Sequence, residues 1–597
     1  MKTYKYLLIL FVSISFNSSA QSWLWARQGT TNSDLTAVAA DSKGNVYITA
    51  PYFDSITFGS NHLFTTFGLT GGGSYVVKYD SLGNIVWVTQ PKVFSGYPNE
   101  FLYTFSNAID NNNDMYITGQ DAGLATFGKD SVTTGVNGYG FIPYLVKYDE
   151  NGNVLWTRQA RNNEMSNDVG QGDAVTTDIL GNVYITGLFE DTLTFGADTV
   201  KDIIPNNNNV FIVKYDTKGN VLWAKQANLF SSMSSANGNS VGTDQLGNVY
   251  LTGYFTGTIN FGSNTLNGIN NISLYDVFIV KYNPNGNVLW AKQGNIPSSA
   301  SGGSGYSVIT DKANNVYLTG YFRDTLAFGT DTLKEQVSRT GFGFYGDIFL
   351  IKYDANGNIL WTKESSNTSD TTWGWSGYSL SMDAYNHIYM TAGGFLLGTG
   401  KVIFGIDTFS YNAVDKDPAI AMELDTAGEV LCFSNVISGG DDQSLLVSDP
   451  TGKYVYWGGD FWTSTVVLGK DTIVQYPNST EYPFIARWQS CTVPIDTNQL
   501  PVTQEPCHSL FIPNAFSPNK DGQNDILYVR GDCISSMDFI IFDRWGAKVF
   551  ESNNVNYGWD GTYKGKPMNT ASFAYFLKAV LLDGTTVQKK GNITLVR

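Results

Sequence analysis

The stretch FIVKYDTKGNVLWAKQ (residues 211–226) returns almost letter for letter as FIVKYNPNGNVLWAKQ (residues 278–293). A catalytic centre needs its special residues once, so near-verbatim repetition marks a building unit. Around it a GNVY-type strand recurs, centred on Tyr47, Tyr116, Tyr184, Tyr250, Tyr317, Tyr389 and Tyr456, at intervals of 66 to 72 residues. That makes seven copies of one unit.

Each unit reads as four strands. In the fifth they are SVITD (307–311), NVYLTGYF (315–322), DIFLIKYD (347–354) and NILWTKE (358–364). Their near-continuous apolar, β-branched and aromatic character predicts sheets covered on both faces. The last unit stops at FIARW (484–488) with no fourth strand, while WLWARQ (23–28) is an orphan fourth strand near the start. The expected fold is therefore all-β: a seven-bladed β-propeller closed by the N-terminal strand, followed by a small C-terminal β-sandwich. An open solenoid would want polar caps at its ends, and none is legible.

The recurring turns explain the repeated letters. Asp216, Gly219 and Asn220 fit a hairpin turn in which Asp caps backbone amides and Gly and Asn accept positive φ, and Asp244, Gly247 and Asn248 repeat the device. Trp25, Trp87, Trp156, Trp223, Trp290 and Trp361 occupy one equivalent position and are expected to fill space between blades, each indole N–H needing a partner. The sixth unit has Cys432 there, read as a small buried hydrophobe.

Composition agrees. Of 597 residues, 42% are hydrophobic and 14% aromatic, enough for a large packed interior, and 62 glycines punctuate the chain. A net charge of −16 without a basic cluster argues against nucleic acid or an anionic membrane as partner. Lys2 and Lys5 precede an apolar run at 7–16, and Ser18 and Ala20 precede Gln21. This reads as a signal peptide cleaved after Ala20. The run is too short to span a bilayer, and no later segment is long enough. The expected domains are 1–20 signal peptide, 21–489 propeller, 490–509 proline-bearing linker and 510–597 second domain.

The pattern D-x-x-G-N-V-Y-I-T-G followed by F-I-V-K-Y-D resembles the SBBP-type β-propeller repeat of exported bacterial proteins, over about residues 23–489. Its turn is also similar to the tryptophan-docking motif of quinoprotein dehydrogenases and, more loosely, to the Asp box of sialidases. Both are structural elements and imply no activity. The C-terminal segments IPNAFSPNKDGQND (512–525), IIFDRWGAKVFES (540–552), GWDGTYKGK (558–566) and KKGNITLVR (589–597) resemble the gliding motility-associated C-terminal domain, the type B sorting domain of the type IX secretion system in Bacteroidetes. The motif residues are Pro518, Asn519, Asp521, Gly522, Asn524, Asp525, Arg544, Trp545, Gly546, Trp559, Asp560 and Gly561. One departure is NTASFAYF (569–576), where the family usually has a glycine in the turn. The resemblance implies passage through the periplasm, contact with the type IX machinery at the outer membrane, and a secreted or cell-surface product.

Two readings of the PNKDGQND loop stand side by side. Asn519, Asp521, Asn524 and Asp525 offer oxygens to a hard cation such as calcium, or they cap their own turn; the distal Glu of an EF-hand is absent. No other cofactor is expected. In an oxidising compartment one disulfide is expected among Cys491, Cys507 and Cys533, with Cys507–Cys533 the preferred pair.

Function is expected where the repeat varies. The first-to-second and third-to-fourth turns are minimal, whereas the second-to-third and fourth-to-first connections are long and differ. They carry Tyr139 and Phe141, Phe342, Phe344 and Tyr345, and Trp373 and Trp375, aromatics suited to a glycan, peptide or matrix ligand. Their alternative role is packing on neighbouring loops. An enzyme of glycosidase, lyase or quinoprotein type would need unique carboxylates or metal ligands. His62, His387 and His508 are scattered, and His387 reads as a turn residue. The favoured function is a monomeric, non-catalytic exported binding protein with an unidentified extracellular ligand; a propeller enzyme or a passive structural module is the alternative.

Overall fold

The computed structural model describes residues 23–490 and 511–596 apart from 31–32, 65–71, 95–100, 134–139, 163–169, 203, 205–206, 269–274, 295–301, 330, 336–345, 368–373, 395–397, 406, 414–417, 435–444, 453, 462–464, 469–470, 475–481, 520–523, 530–533, 555–556 and 582–585. The chain divides into two compact units, Met1–Pro494 and Ile495–Arg597. Every regular element among the described residues is a β-strand, so the protein is all-β.

The third repeat shows how sequence becomes sheet. Gly170–Thr177, Val183–Phe189, Asn209–Tyr215 and Val221–Gln226 pair antiparallel in that order. The two central strands are buried along their whole length, which explains their unbroken apolar spelling. Asp178 builds the first turn: its Oδ1 accepts from the amides of Leu180 (3.0 Å) and Asn182 (2.9 Å), and its Oδ2 from Asn182 Nδ2 (2.8 Å). Gly181 takes φ +78° in that turn, a conformation L side chains rarely adopt. Below the turn Tyr184 Oη donates to Asp178 Oδ2 at 3.1 Å, and Lys214, opposite Tyr184, brings its ammonium to 3.6 Å from the same oxygen. Lys78, Lys147, Lys281 and Lys352 repeat the ion pair beneath their own tyrosines.

Tryptophan ties each sheet to the next. Trp223 Nε1 donates to Pro284 O at 3.0 Å, and its ring covers Gly286 so closely that a Cβ there would sit 2.8 Å from the indole. Trp25, Trp87, Trp156, Trp290 and Trp361 donate in the same way to Ser81, Glu150, Thr217, Ala355 and Thr426. The repeated indole thus has the one partner it needs, and it lies in the neighbouring repeat.

The N-terminal strand Trp23–Gln28 pairs antiparallel with Tyr482–Gln489, Ala26 opposite Ala486, and completes the four-stranded sheet of the seventh repeat. Innermost strands pack on one another in series: Ala37–Ala40, Phe101–Ile109, Gly170–Thr177, Ser235–Thr243, Gly302–Thr310, Trp375–Met382, Leu445–Ser448 and again Ala37–Ala40. Side chains stitch them, as where Thr243 Oγ1 donates to Thr177 O and Thr310 Oγ1 to Thr243 O, both at 2.8 Å.

The count of four strands per unit is too low: every repeat carries a further short hairpin in its long second-to-third connection, for example Thr192–Phe195 with Asp198–Lys201 and Thr258–Phe261 with Asn264–Asn267. In the first five the leading strand alternates buried and half-buried residues, Leu193 and Phe195 inward in the third. Gly59, Gly128, Gly196, Gly262, Gly329 and Gly405 turn six of them at φ +59° to +64°.

In the second unit Ala515–Phe516, Thr586–Leu595, Ala571–Leu581, Ile534–Phe542 and Lys548–Ser552 form a five-stranded sheet in that order, beside a ribbon of Thr562–Tyr563 and Lys566–Pro567. Its core gathers Phe539, Ile541, Phe573, Leu577 and Ile593 from the sheet with Leu527, Val529 and Trp559 from irregular segments.

Candidate functional site

The register of the innermost strands slips at one equivalent place in five repeats. Thr186 lies opposite Ala174 and Gly187 opposite Gly172, so Asp173 is left over. The same slip leaves over Phe105, Asn239, Tyr306 and Tyr378. Such a bulge re-aims one side chain. It also explains the glycine after Thr in the repeat, because a Cβ on Gly119, Gly187, Gly253 or Gly320 would lie 1.9–2.0 Å from a carbonyl oxygen of the bulged strand.

All five left-over residues, with Thr36 of the first repeat, line one cavity of about 520 Å³ to which all seven innermost strands contribute. Their seventh counterpart, Ser444, is outside the described residues. On one side Phe101, Tyr103 and Phe105 form a ladder of near-parallel rings, with centroids 5.7 and 6.1 Å apart at 15° and 8°. On the other, Tyr306 stacks on Tyr378 at 5.6 Å and 16° and touches Tyr321 at 5.6 Å. Asn239 Nδ2 donates to Ser304 Oγ and Gly305 O, both at 2.9 Å, and so is fixed to the next strand.

Asp173 is the one carboxylate in the described lining. Its Oδ1 accepts from Gln171 Nε2 at 2.8 Å, while Oδ2 is shut off from water without a hydrogen-bond partner among the described residues. Burial pushes its carboxyl up to about 7, against the pull of the Gln171 and Asn237 amides. A carboxyl raised by burial at a cavity marks a candidate site. Sequence reading missed it, although its signal is present: at the position after the inner-strand glycine, Asp173 replaces the Asn, Tyr and Tyr of the fourth to sixth repeats.

The expected loop aromatics fare differently. Trp375 begins an innermost strand and is only 1% exposed, packed with Ile348, Ala392 and Val402, so its ring is not offered to solvent. Phe141 is half-buried, and its carbonyl accepts from Gly170 N at 2.8 Å. Trp373, Phe342, Phe344, Tyr345 and Tyr139 lie outside the described residues. So do Asp521 and Gly522 of the cation loop and both Cys507 and Cys533. Of that loop, Asn524 takes φ +55° and its carbonyl accepts from Ser517 N at 3.0 Å. Cys432 is corrected: it is disulfide-bonded, not a free buried hydrophobe.

In the second unit Asp543 Oδ1 caps the amides of Trp545 and Ala547 at 2.9 Å, with Gly546 at φ +80°. This turn lifts Trp545, 80% exposed, with the Arg544 guanidinium 4.9 Å from its ring centroid. Trp559 is buried, its Nε1 donating to Thr562 O at 2.9 Å, while Asp560 caps Thr562, and Gly561 sits against Pro518 and Leu595.

The fold and these sites define an all-β protein of tandem four-stranded sheets with a separate C-terminal β-unit. Residues 510–595 match the CHU_C type IX secretion signal domain. Such a signal implies export, to the medium or the cell surface, and contact with the secretion machinery. Among curated proteins the chain is 29% identical over 266 residues to the uncharacterized WD repeat-containing protein L264 of Acanthamoeba polyphaga mimivirus, a match covering 38% of this chain and 18% of that protein. Among solved structures it is similar to a protein of unknown function from Dyadobacter fermentans (9% identity, 79% of this chain and 98% of that one, TM-score 0.34). Another is the extracellular domain of the putative one component system BT4673 from B. thetaiotaomicron (11% identity, 98% and 100%, TM-score 0.16). Likenesses at these TM-scores carry no argument about fold or ligand. No helix among the described residues is long and apolar enough to cross a membrane.

Proposed function

We propose that the first unit is a seven-bladed β-propeller, and that the protein is an exported, non-catalytic module binding an extracellular glycan, peptide or matrix ligand at the centre of that propeller. The propeller reading is supported by seven four-stranded repeats packed in series through their innermost strands, by the pairing of Trp23–Gln28 with Tyr482–Gln489, and by the WD-repeat name of the viral relative. The observation that carries the binding reading is the convergence of Phe105, Asp173, Asn239, Tyr306 and Tyr378 on one cavity. These residues break the repeat while everything around them obeys it, and variation on a rigid frame is where recognition sits. A single carboxylate in the described lining favours binding over glycoside hydrolysis, which uses two. The exposed Trp545–Arg544 tip is the surface we assign to the secretion machinery. Glycan and peptide arrays probed with the full exported chain, with and without calcium, test the function. A ligand bound by the chain and lost on Tyr306→Ala supports it, and uniformly blank arrays overturn it.

A further inference from the structure

The described lining of the central cavity holds no Lys, Arg or His and one carboxylate, in a chain of net charge −16. Its repeat-breaking residues Phe105, Asp173, Asn239, Tyr306 and Tyr378 are all half-exposed, so they are open to whatever enters. The lining's side-chain nitrogens, those of Asn107 and Asn239, already donate to the protein. Two bonds at 2.9 Å hold the Asn239 carboxamide in one orientation and leave its Oδ1 as an acceptor. The wall therefore offers acceptors, aromatic rings and negative charge.

Asp173 departs from the rule that the rest of the fold obeys. The buried turn aspartates Asp41, Asp110, Asp178, Asp244 and Asp311 each have a lysine ammonium within 3.3–3.7 Å. Asp173 is held by the amides of Gln171 and Asn237 and has no such lysine. A buried charge is ordinarily paired, and at this cavity the missing cation has room to come from outside.

We infer that the cavity binds an organic cation, a primary ammonium or guanidinium group on an alkyl stem, with its N–H donors toward Asn239 Oδ1 and its charge beside the rings of Phe105, Tyr306 and Tyr378. The inference rests on the binding reading above and names the chemistry of its ligand. Ammonium and guanidinium groups only donate, which suits a wall whose side-chain N–H groups are spent. Their charge is attracted to aromatic rings, and their alkyl stems pack on them. Asp173 Oδ2 is sealed, so this carboxylate acts across the cavity wall through its field and not by contact. An anion would meet charge of its own sign. A bare metal ion would need several ligands, and no group of three His, Cys, Asp or Glu able to hold one occurs among the described residues. The cavity, about 520 Å³, has the size usual for small-molecule sites, ~300–1,000 Å³.

The groups facing Asp173 are Gln171 on its own strand, Asn237 on the next innermost strand, and Tyr254 on the strand beside that. Burial, together with Tyr275, holds the Tyr254 phenol up to about 12, so it stays neutral. An alkyl amine stays charged throughout this range, with an ordinary pKa of about 10.4. Asp173 takes up its charge near pH 7, so affinity for the cation rises as pH passes upward through about 7.

The test is calorimetric titration of the full exported chain at about pH 5.5 and about pH 8, in about 0.15 M salt to screen long-range attraction. The probes are oligolysine, its fully acetylated form, oligoarginine, spermidine, neutral hexose oligosaccharides and galacturonate oligomers. Expected is binding of an amine or guanidine probe, tighter at the higher pH and lost on acetylation. Binding of the peptides or of spermidine tells a basic side chain from a free polyamine as the source. Tyr378→Leu and Asn239→Leu each weaken it by about tenfold. The isosteric Asp173→Asn weakens it at pH 8 and abolishes the pH dependence. Glu551→Gln removes the same unit of charge from an exposed strand of the second unit and should change affinity less than about twofold. Cation binding untouched by the three cavity variants, or reduced as much by Glu551→Gln, is attraction to net charge and overturns the inference while leaving the binding function standing. Binding confined to neutral or acidic oligosaccharides overturns it too. No binding to any probe, nor to glycan and peptide arrays, removes the binding reading itself.

Discussion

Ser490 Oγ lies 2.9 Å from both carboxylate oxygens of Glu423. Glu423 stands opposite Tyr389, where the first five repeats place a lysine and the seventh places Arg487. On the other side it faces Cys432, which occupies the position of the docking tryptophans. Those tryptophans reach the third-to-fourth turn of the next sheet, as Trp25 reaches Ser81. Register makes Ser490 the counterpart of Ser81 in the seventh repeat, and Cys491 follows it. We therefore expect Cys432 to be joined to Cys491, a covalent version of the tryptophan tie. Peptide mapping under non-reducing conditions checks this, and linkage of Cys432 to Cys507 or Cys533 sinks it. Cys432→Ala should cost about 2–4 kcal/mol.

The lysines of the other repeats allow a sharper energetic test. Lys214 Nζ lies 5.0 Å from the Tyr184 ring centroid, 3.6 Å from Asp178 Oδ2, and donates to Pro284 O at 3.2 Å. Burial pulls its ammonium below the usual lysine range, with Asp178 holding it up. Lys214→Met leaves the Asp178 charge buried without its partner, which should cost about 3 kcal/mol, the low end for a broken buried pair because the turn amides still solvate the carboxylate. Lys225→Met, on the exposed side of the next strand, should stay within about 0.5 kcal/mol. Urea midpoints of the first unit measure both, and equal effects would discount the buried pair.

Trp223→Ala should cost about 3–5 kcal/mol, from the cavity and from the open Pro284 carbonyl. Gly286→Ala attacks the same contact from the other side: φ is +77°, and the new Cβ would press on the indole at 2.8 Å. It should therefore exceed Gly329→Ala, where φ is +60° with nothing within 4 Å and only the ~1–2 kcal/mol backbone penalty applies. Equal losses in denaturant midpoint at the two glycines would mean that the tryptophan adjusts freely.

Much of this was legible because it is repeated. Asp178, Gly181, Asn182 and Trp223 announce turn and tie by type and spacing, since each does a job that backbone chemistry permits to few residues. The inserted hairpins were not seen: Leu193 and Phe195 are only two inward positions on a four-residue strand, too short a run for periodicity to speak. Asp173 escaped for a different reason. Its exposure is set by a one-residue register slip, and a slip of one changes which face a residue occupies. Trp375 misled in the opposite direction, its type suggesting a solvent-facing contact where the strand start buries it.

Asp173 should betray its role through stability as well as binding. Its carboxyl is held up to about 7 in the folded protein, against an ordinary value of 3.8. From about pH 4 to 7 the unfolded chain has released this proton while the folded one still holds it, so stability falls as pH rises through that window. Below it both states are protonated and the effect vanishes; above it the loss is complete, on the order of 4 kcal/mol for this one group. Asp173→Asn should therefore raise the melting temperature at about pH 8 and leave it nearly unchanged at about pH 4. Parallel melting curves across pH for the two proteins would show instead that Asp173 is solvated and does no such work.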